Sequence, residues 1–141
     1  MAWLKAYGWE KETYPAFRDV KLCSYNQRKI VKKLARHFKL PPHPVIRLVN
    51  STRFDSQRGL YYSRSSTIKL GETTTLATVC HEFAHHMDAI HRSGKTDHSK
   101  AFKRELKKVY TFAKRYLPQV DEEAEQRADL MMKYGEVTTD A

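Results

Sequence analysis

The chain has 141 residues, 40% apolar and 30% charged, which suits one soluble domain with a single modest core. No apolar run approaches the roughly 18 residues of a membrane span, and Met1-Ala2-Trp3-Leu4-Lys5 lacks the apolar stretch of a signal peptide, so a cytoplasmic address is expected. The two cysteines, Cys23 and Cys80, stand in no metal-binding spacing, and the net charge of +10 is compatible with a polyanionic partner.

In chain order, residues 1–22 show no clear element. Trp3, Tyr7, Trp9 and Tyr14 would form either a base-stacking surface or a small satellite core. Ser24 with Gln27 spells a capping box that opens a helix with Ile30, Val31, Leu34, Ala35 and Phe38 inward, stopped by Pro41-Pro42. Val45–Val49 reads as a short strand, 52–58 as a polar turn and 59–70 as a hairpin or two edge strands. Helices are expected at about 74–92, 98–117 and 121–134, with 136–141 as a tail. The sum is an α+β single domain: a small antiparallel sheet, one central helix and packed flanking helices.

The central helix carries the chemistry. Leu76, Val79, Cys80, Phe83, Met87 and Ile90 recur three and four apart, and cluster within about 50° of one direction. Thr78, His81, Glu82, His85 and Asp88 lie on other faces, with His81 and His85 roughly 140–180° from the apolar stripe. Residues 81–85 read His-Glu-Phe-Ala-His. On a helix His81 and His85 stand one turn apart, so two imidazoles can share one zinc ion, with Glu82 beside the water such an ion activates. Thr73-Thr74-Thr75 supplies N-cap candidates, and Ser93-Gly94 ends the helix.

A catalytic zinc takes a third protein ligand and leaves its fourth position to water. Three residues compete for that place. His91 has metzincin spacing from His81, but the glycine that turns the chain back in that class is Asp88 here, and a continued helix points His91 about 80–120° away. His98 follows a polar loop, Ser93-Gly94-Lys95-Thr96-Asp97, long enough to fold back; it would open a helix capped by Asp97 with Phe102, Leu106, Val109 and Ala113 inward. Glu125, in Glu-Gln-Arg-Ala-Asp at 125–129, matches the downstream glutamate of the gluzincins. An acidic residue early in a helix also complements the helix dipole without binding anything.

His81-Glu82-Phe83-Ala84-His85 followed by His98-Ser99-Lys100-Ala101-Phe102 resembles the SprT-like (Spartan-type) metallopeptidase domain, over roughly residues 20–117. Gly59-Leu60-Tyr61-Tyr62 and Thr67-Ile68-Lys69-Leu70 resemble the hairpin before that family's active-site helix. The resemblance implies a three-histidine zinc site of His81, His85 and His98, a phenylalanine packed behind the third histidine, and DNA-associated protein targets. The chain departs from the family at Ser99-Lys100, where Gly-Pro is common, and has no paired cysteines for a C-terminal zinc ribbon.

The expected activity is thus peptide-bond hydrolysis. Glu82 takes a proton from the attacking water and hands it to the leaving amine, and substrate adds along residues 66–70 as an extra strand. Tyr61, Tyr62 and Arg64 are candidates to stabilise the oxyanion. Two other readings stand beside it: a gluzincin-type peptidase using Glu125, and a basic nucleic-acid-binding domain without catalysis. The charge is uneven, with 24 Lys and Arg against 9 Asp and Glu in residues 1–120, and 2 against 7 in 121–141. Lys29, Lys32, Lys33 and Arg36 form one basic stripe, and Lys100, Lys103, Arg104, Lys107 and Lys108 another; they suit phosphates, or simply the solvated faces of amphipathic helices.

Overall fold

The computed structural model describes residues 20–40, 44–49, 59–71, 74–115, 126 and 130. Outside them lie the aromatic N-terminal stretch, Pro41-Pro42, the polar segment 52–58, Glu125 and the tail. Gln126 and Leu130, both helical, are the described members of the helix expected at 121–134. The described elements are α1 (Ser24–Phe38), β1 (Val45–Val49), β2 (Gly59–Tyr62), β3 (Thr67–Gly71), α2 (Leu76–His91) and α3 (Lys100–Ala113). The fold is α+β, as its alternation of helical and strand periodicity implies.

Ile30, Val31, Leu34 and Ala35 are buried on the inner face of α1. The capping box does not form. Cys23 is the N-cap and makes no side-chain cap bond, while the buried Gln27 points elsewhere. Its Nε2 donates to the carbonyls of Leu22 at 2.8 Å and Gly71 at 3.0 Å, tying the start of α1 to the end of β3. A bond between elements far apart in sequence has displaced the local one. Lys39 ends α1 in the left-handed region (φ 52°), and the Leu40 N–H returns to the Ala35 carbonyl at 3.2 Å. With Lys39 N–H on Arg36 O, this is a Schellman stop, and Leu40 is buried beneath it.

Of the two readings of 59–70 the hairpin is the one that forms: β2 and β3 pair antiparallel from Gly59↔Leu70 to Tyr62↔Thr67. The sheet is wider than this pair, because β1 joins β3 in parallel, giving the order β1-β3-β2. β3 therefore has a neighbour on each side. Substrate cannot add along residues 66–70 as the sequence suggested, and among the described residues β2 is the strand beside α2 with one edge left open.

Helix α2 is the centre of the domain and packs on α3, β2, β3 and α1. Its start is fixed twice. Thr75 accepts from the Thr78 N–H as N-cap, and an antiparallel bridge pairs Lys21 with Thr75. Leu76, Val79, Cys80, Phe83 and Met87 of its apolar stripe are buried with Ile68, Leu70, Phe102, Leu106 and Tyr110 in one core, with Ile90 partly buried against it. The polar face is buried as well: His81, Glu82, His85, His86 and Asp88 are each no more than 8% exposed. β2 and α3 close over it, so these groups sit in a walled site rather than on an open surface. No helix among the described residues is long and apolar enough to cross a membrane.

Candidate metal centre

Helical spacing brings His81 and His85 to one face, and the loop after α2 brings His98 to them. The Nε2 of His98 lies 3.2 Å from the Nε2 of His81 and 3.2 Å from that of His85. All three histidines offer a ring nitrogen within 4.8 Å of the others. Two imidazole nitrogens sharing a tetrahedral ion at about 2.0–2.1 Å would be about 3.3 Å apart, so the spacing fits a metal ion. A single N–H on His98 cannot serve both neighbours well, whereas one cation satisfies three lone pairs together. Three neutral ligands also leave a fourth position for water or substrate.

Phe102, fully buried in the first turn of α3, backs the cluster. Its ring stacks on His85 at 4.2 Å and meets the edges of His81 at 5.0 Å and His98 at 5.3 Å. Phe102→Ala is expected to cost about 3–5 kcal/mol in stability, read by denaturant unfolding of the metal-free chain, because it opens a cavity beneath all three rings.

The tautomer of His85 follows from its neighbours. Asp88 carries a carboxylate, which only accepts, so the Thr96 hydroxyl donates to Asp88 Oδ2 at 2.9 Å. With that proton committed, Thr96 Oγ1 accepts from Nδ1–H of His85 at 2.7 Å. The Nε2 lone pair of His85 is thereby left facing the other two rings. Arg92 holds the same carboxylate through Nε on Oδ1 at 2.7 Å and Nη2 on Oδ2 at 2.5 Å, and also reaches Asp97 at 2.8 Å. Asp97 Oδ1 accepts from the Ser99 N–H at 3.2 Å, and the bonds from Ser99 and Arg92 hold the Asp97 carboxyl well below the usual carboxylate range.

Burial, and then the neighbouring His81 and His98, hold the His85 pKa down to about 2. In the unfolded chain the same ring takes a proton near 6.5. The unfolded state therefore binds more protons between these limits, so the stabilisation is complete above about pH 6.5 and lost as pH falls. The thermal midpoint of the metal-free chain is expected to decline from about pH 7 to about pH 4.5, and less steeply in His85→Asn.

Glu82 is 5% exposed and lies under the start of β2. A Cβ on Gly59 would meet Glu82 Cγ at 2.8 Å and Thr78 Cγ2 at 2.7 Å, so only glycine lets the strand approach this closely. Two residues on, Tyr61 places its hydroxyl 2.9 Å from Nδ1 of His86, with its ring parallel to that of His85 at 6.5 Å. Burial raises the Tyr61 pKa above its ordinary value. Of the three oxyanion candidates, Tyr61 faces the motif, whereas Tyr62 is 45% exposed at the far end of β2.

The remaining candidates separate clearly. His91, the last residue of α2, is joined to Glu105 through Nδ1 at 2.9 Å and stays apart from the cluster. Glu125 lies outside the described residues. His98 precedes α3 instead of opening it, since Ser99 is the N-cap. Thr96, Arg92, His86 and Gly59 were not singled out from sequence as parts of the site. The spacing His85-x-x-Asp88 with a loop threonine is a faint signal, and no local pattern marks Gly59.

The described fold thus defines an α+β domain with a three-histidine cluster able to hold a metal ion, compatible with a metal-dependent function. Compared with family models, curated proteins and solved structures, the chain matches none of them.

Proposed function

We propose that the protein is a zinc-dependent metallopeptidase, with His81, His85 and His98 as ligands and Glu82 as the general base. The observation that carries this reading is the convergence of the three histidine nitrogens beside a buried glutamate at the second position of His-Glu-x-x-His. An all-imidazole, open-sided set suits zinc, which when bound would lower the pKa of a water toward neutrality and polarise a carbonyl. The chain supplies the rest. Glu82 accepts the proton of the attacking water and passes it to the leaving amine, and the wall of β2 and α3 limits competing solvent. The edge of β2 away from β3, unpaired among the described residues, crosses α2 at the level of Glu82 and His86 and offers backbone groups for an extended peptide to pair with.

Zinc per chain by elemental mass spectrometry, together with cleavage of an unstructured protein with and without chelator, tests the proposal. One zinc, with hydrolysis lost to chelator and restored by zinc, is the expected result. Full hydrolysis in stripped protein would sink it.

We further propose DNA-associated proteins as targets. Support comes from α1, which carries Arg28, Lys29, Lys32, Lys33 and Arg36 and no acidic residue, and from α3, where Glu105 alone opposes Lys100, Lys103, Arg104, Lys107 and Lys108. Oligonucleotide binding by anisotropy is expected to weaken steeply with salt. A flat salt response would remove DNA from the proposal.

A further inference from the structure

We infer that Asp88, Arg92, Thr96 and Asp97 form a positioning clasp that sets the metal-facing nitrogens of His85 and His98 in place before any ion arrives. The inference rests on the metal-site reading above and adds to it how the site is assembled. His98 is delivered by a loop whose backbone bonds lie in its first half, from the Gly94 N–H to the Ala89 carbonyl at 2.6 Å and from the Lys95 N–H to the Arg92 carbonyl at 3.2 Å. Ser93, Gly94, Lys95 and Asp97 are exposed, and two of them take positive φ, 54° at Ser93 and 91° at Gly94. Ordering such a loop costs backbone entropy, so contacts must offset that cost if the third histidine is to stay at 3.2 Å from the others.

The clasp provides those contacts at both ends of the loop. Arg92, at its beginning, spans from Asp88 on α2 to Asp97, the residue before His98. Asp97 passes the hold on to the Ser99 N–H, directly after His98. Thr96 hooks the middle of the loop to Asp88 and to His85 at once. A plain i,i+4 ion pair between Asp88 and Arg92 would be worth little at the surface. This one differs, because the Asp88 side chain is only 1% exposed and its carboxylate takes three donors, one of them the hydroxyl that fixes His85. The second neutral form of His85 would place a proton on the nitrogen that faces His98. Thr96 therefore acts on the site through the proton it makes His85 keep on Nδ1.

Thr96→Val keeps the shape and removes the acceptor, and Thr96→Ser restores it. Zinc affinity measured against a chromophoric chelator is expected to fall about 10–100-fold in Thr96→Val and to return to near the wild-type value in Thr96→Ser. Long-range proton–nitrogen spectra of the metal-free chain should show His85 protonated at Nδ1 in the wild type and in Thr96→Ser, but not uniformly in Thr96→Val. Arg92→Gln should weaken zinc binding as well, because it frees Asp97 on the His98 arm and removes two of the three donors on the Asp88 carboxylate.

Equal zinc affinity in folded Thr96→Val and wild type would overturn the clasp, as would a mixed His85 tautomer in the wild type. A wild type that binds no zinc yet holds His85 in the Nδ1–H form would instead overturn the metallopeptidase reading and leave the hydrogen-bonded clasp standing.

Discussion

Glutamine in place of Glu82 is expected to lower peptide hydrolysis by about 10²–10⁴-fold while the chain still binds zinc as the wild type does. The loss corresponds to about 3–5 kcal/mol of transition-state stabilisation. The amide has the shape of the carboxylate and fits the same space beneath Gly59, so neither fold nor metal ligands are disturbed. What it lacks is the ability to take a proton from water at neutral pH. Turnover and zinc content measured on the same preparation check both halves. Retained turnover would remove Glu82 from the chemistry, and lost zinc would make it a structural residue of the site.

The second large effect is expected at His98. His98→Ala removes the nitrogen that lies 3.2 Å from each of the other two, leaving a pair that cannot hold a tetrahedral ion against competing water. Zinc content should fall from one per chain to near none after dialysis against a weak chelator. His91→Ala should leave it unchanged, because His91 is engaged with Glu105. The comparison also bears on Glu125, whose turn in the site would be signalled by zinc surviving in His98→Ala. Far-ultraviolet circular dichroism distinguishes loss of the site from loss of the fold. His98 is only partly buried and precedes α3, so its truncation leaves the core of Phe83, Phe102 and Leu106 intact.

Three local expectations meet other partners in the structure. Ser24 and Gln27 have the spacing of a capping box, yet Gln27 turns to Leu22 and Gly71, 44 residues away in the latter case. Local spacing makes Asp97 the cap of a helix opened by His98; it accepts from the Ser99 N–H instead, and the helix begins at Lys100. Residues 66–70 are expected to pair with substrate, but β1 occupies one side of β3 and β2 the other. For Gln27 and β3 a contact distant in sequence selected between the partners that local spacing allowed, whereas the partners of Asp97, Ser99 and Arg92, are local.

Whatever depends on periodicity was legible in the order of the residues. Apolar residues three and four apart set α2 as a helix, observed at Leu76–His91, and helical geometry alone then put His81 and His85 on one face. Residues 59–70 read as a hairpin or two edge strands, of which the hairpin is observed, and the polar run after His91 marks where the chain can fold back. Tertiary structure decided what depends on distance between elements. It brought His98 to the pair and kept His91 away, joined β1 to β3 in parallel, and pressed Gly59 onto Glu82. It also buried the polar face of α2, where Asp88 and Thr96 hold His85. Periodicity reports the direction a side chain leaves its own backbone; what stands opposite is set by long-range packing, which no window of neighbouring residues contains.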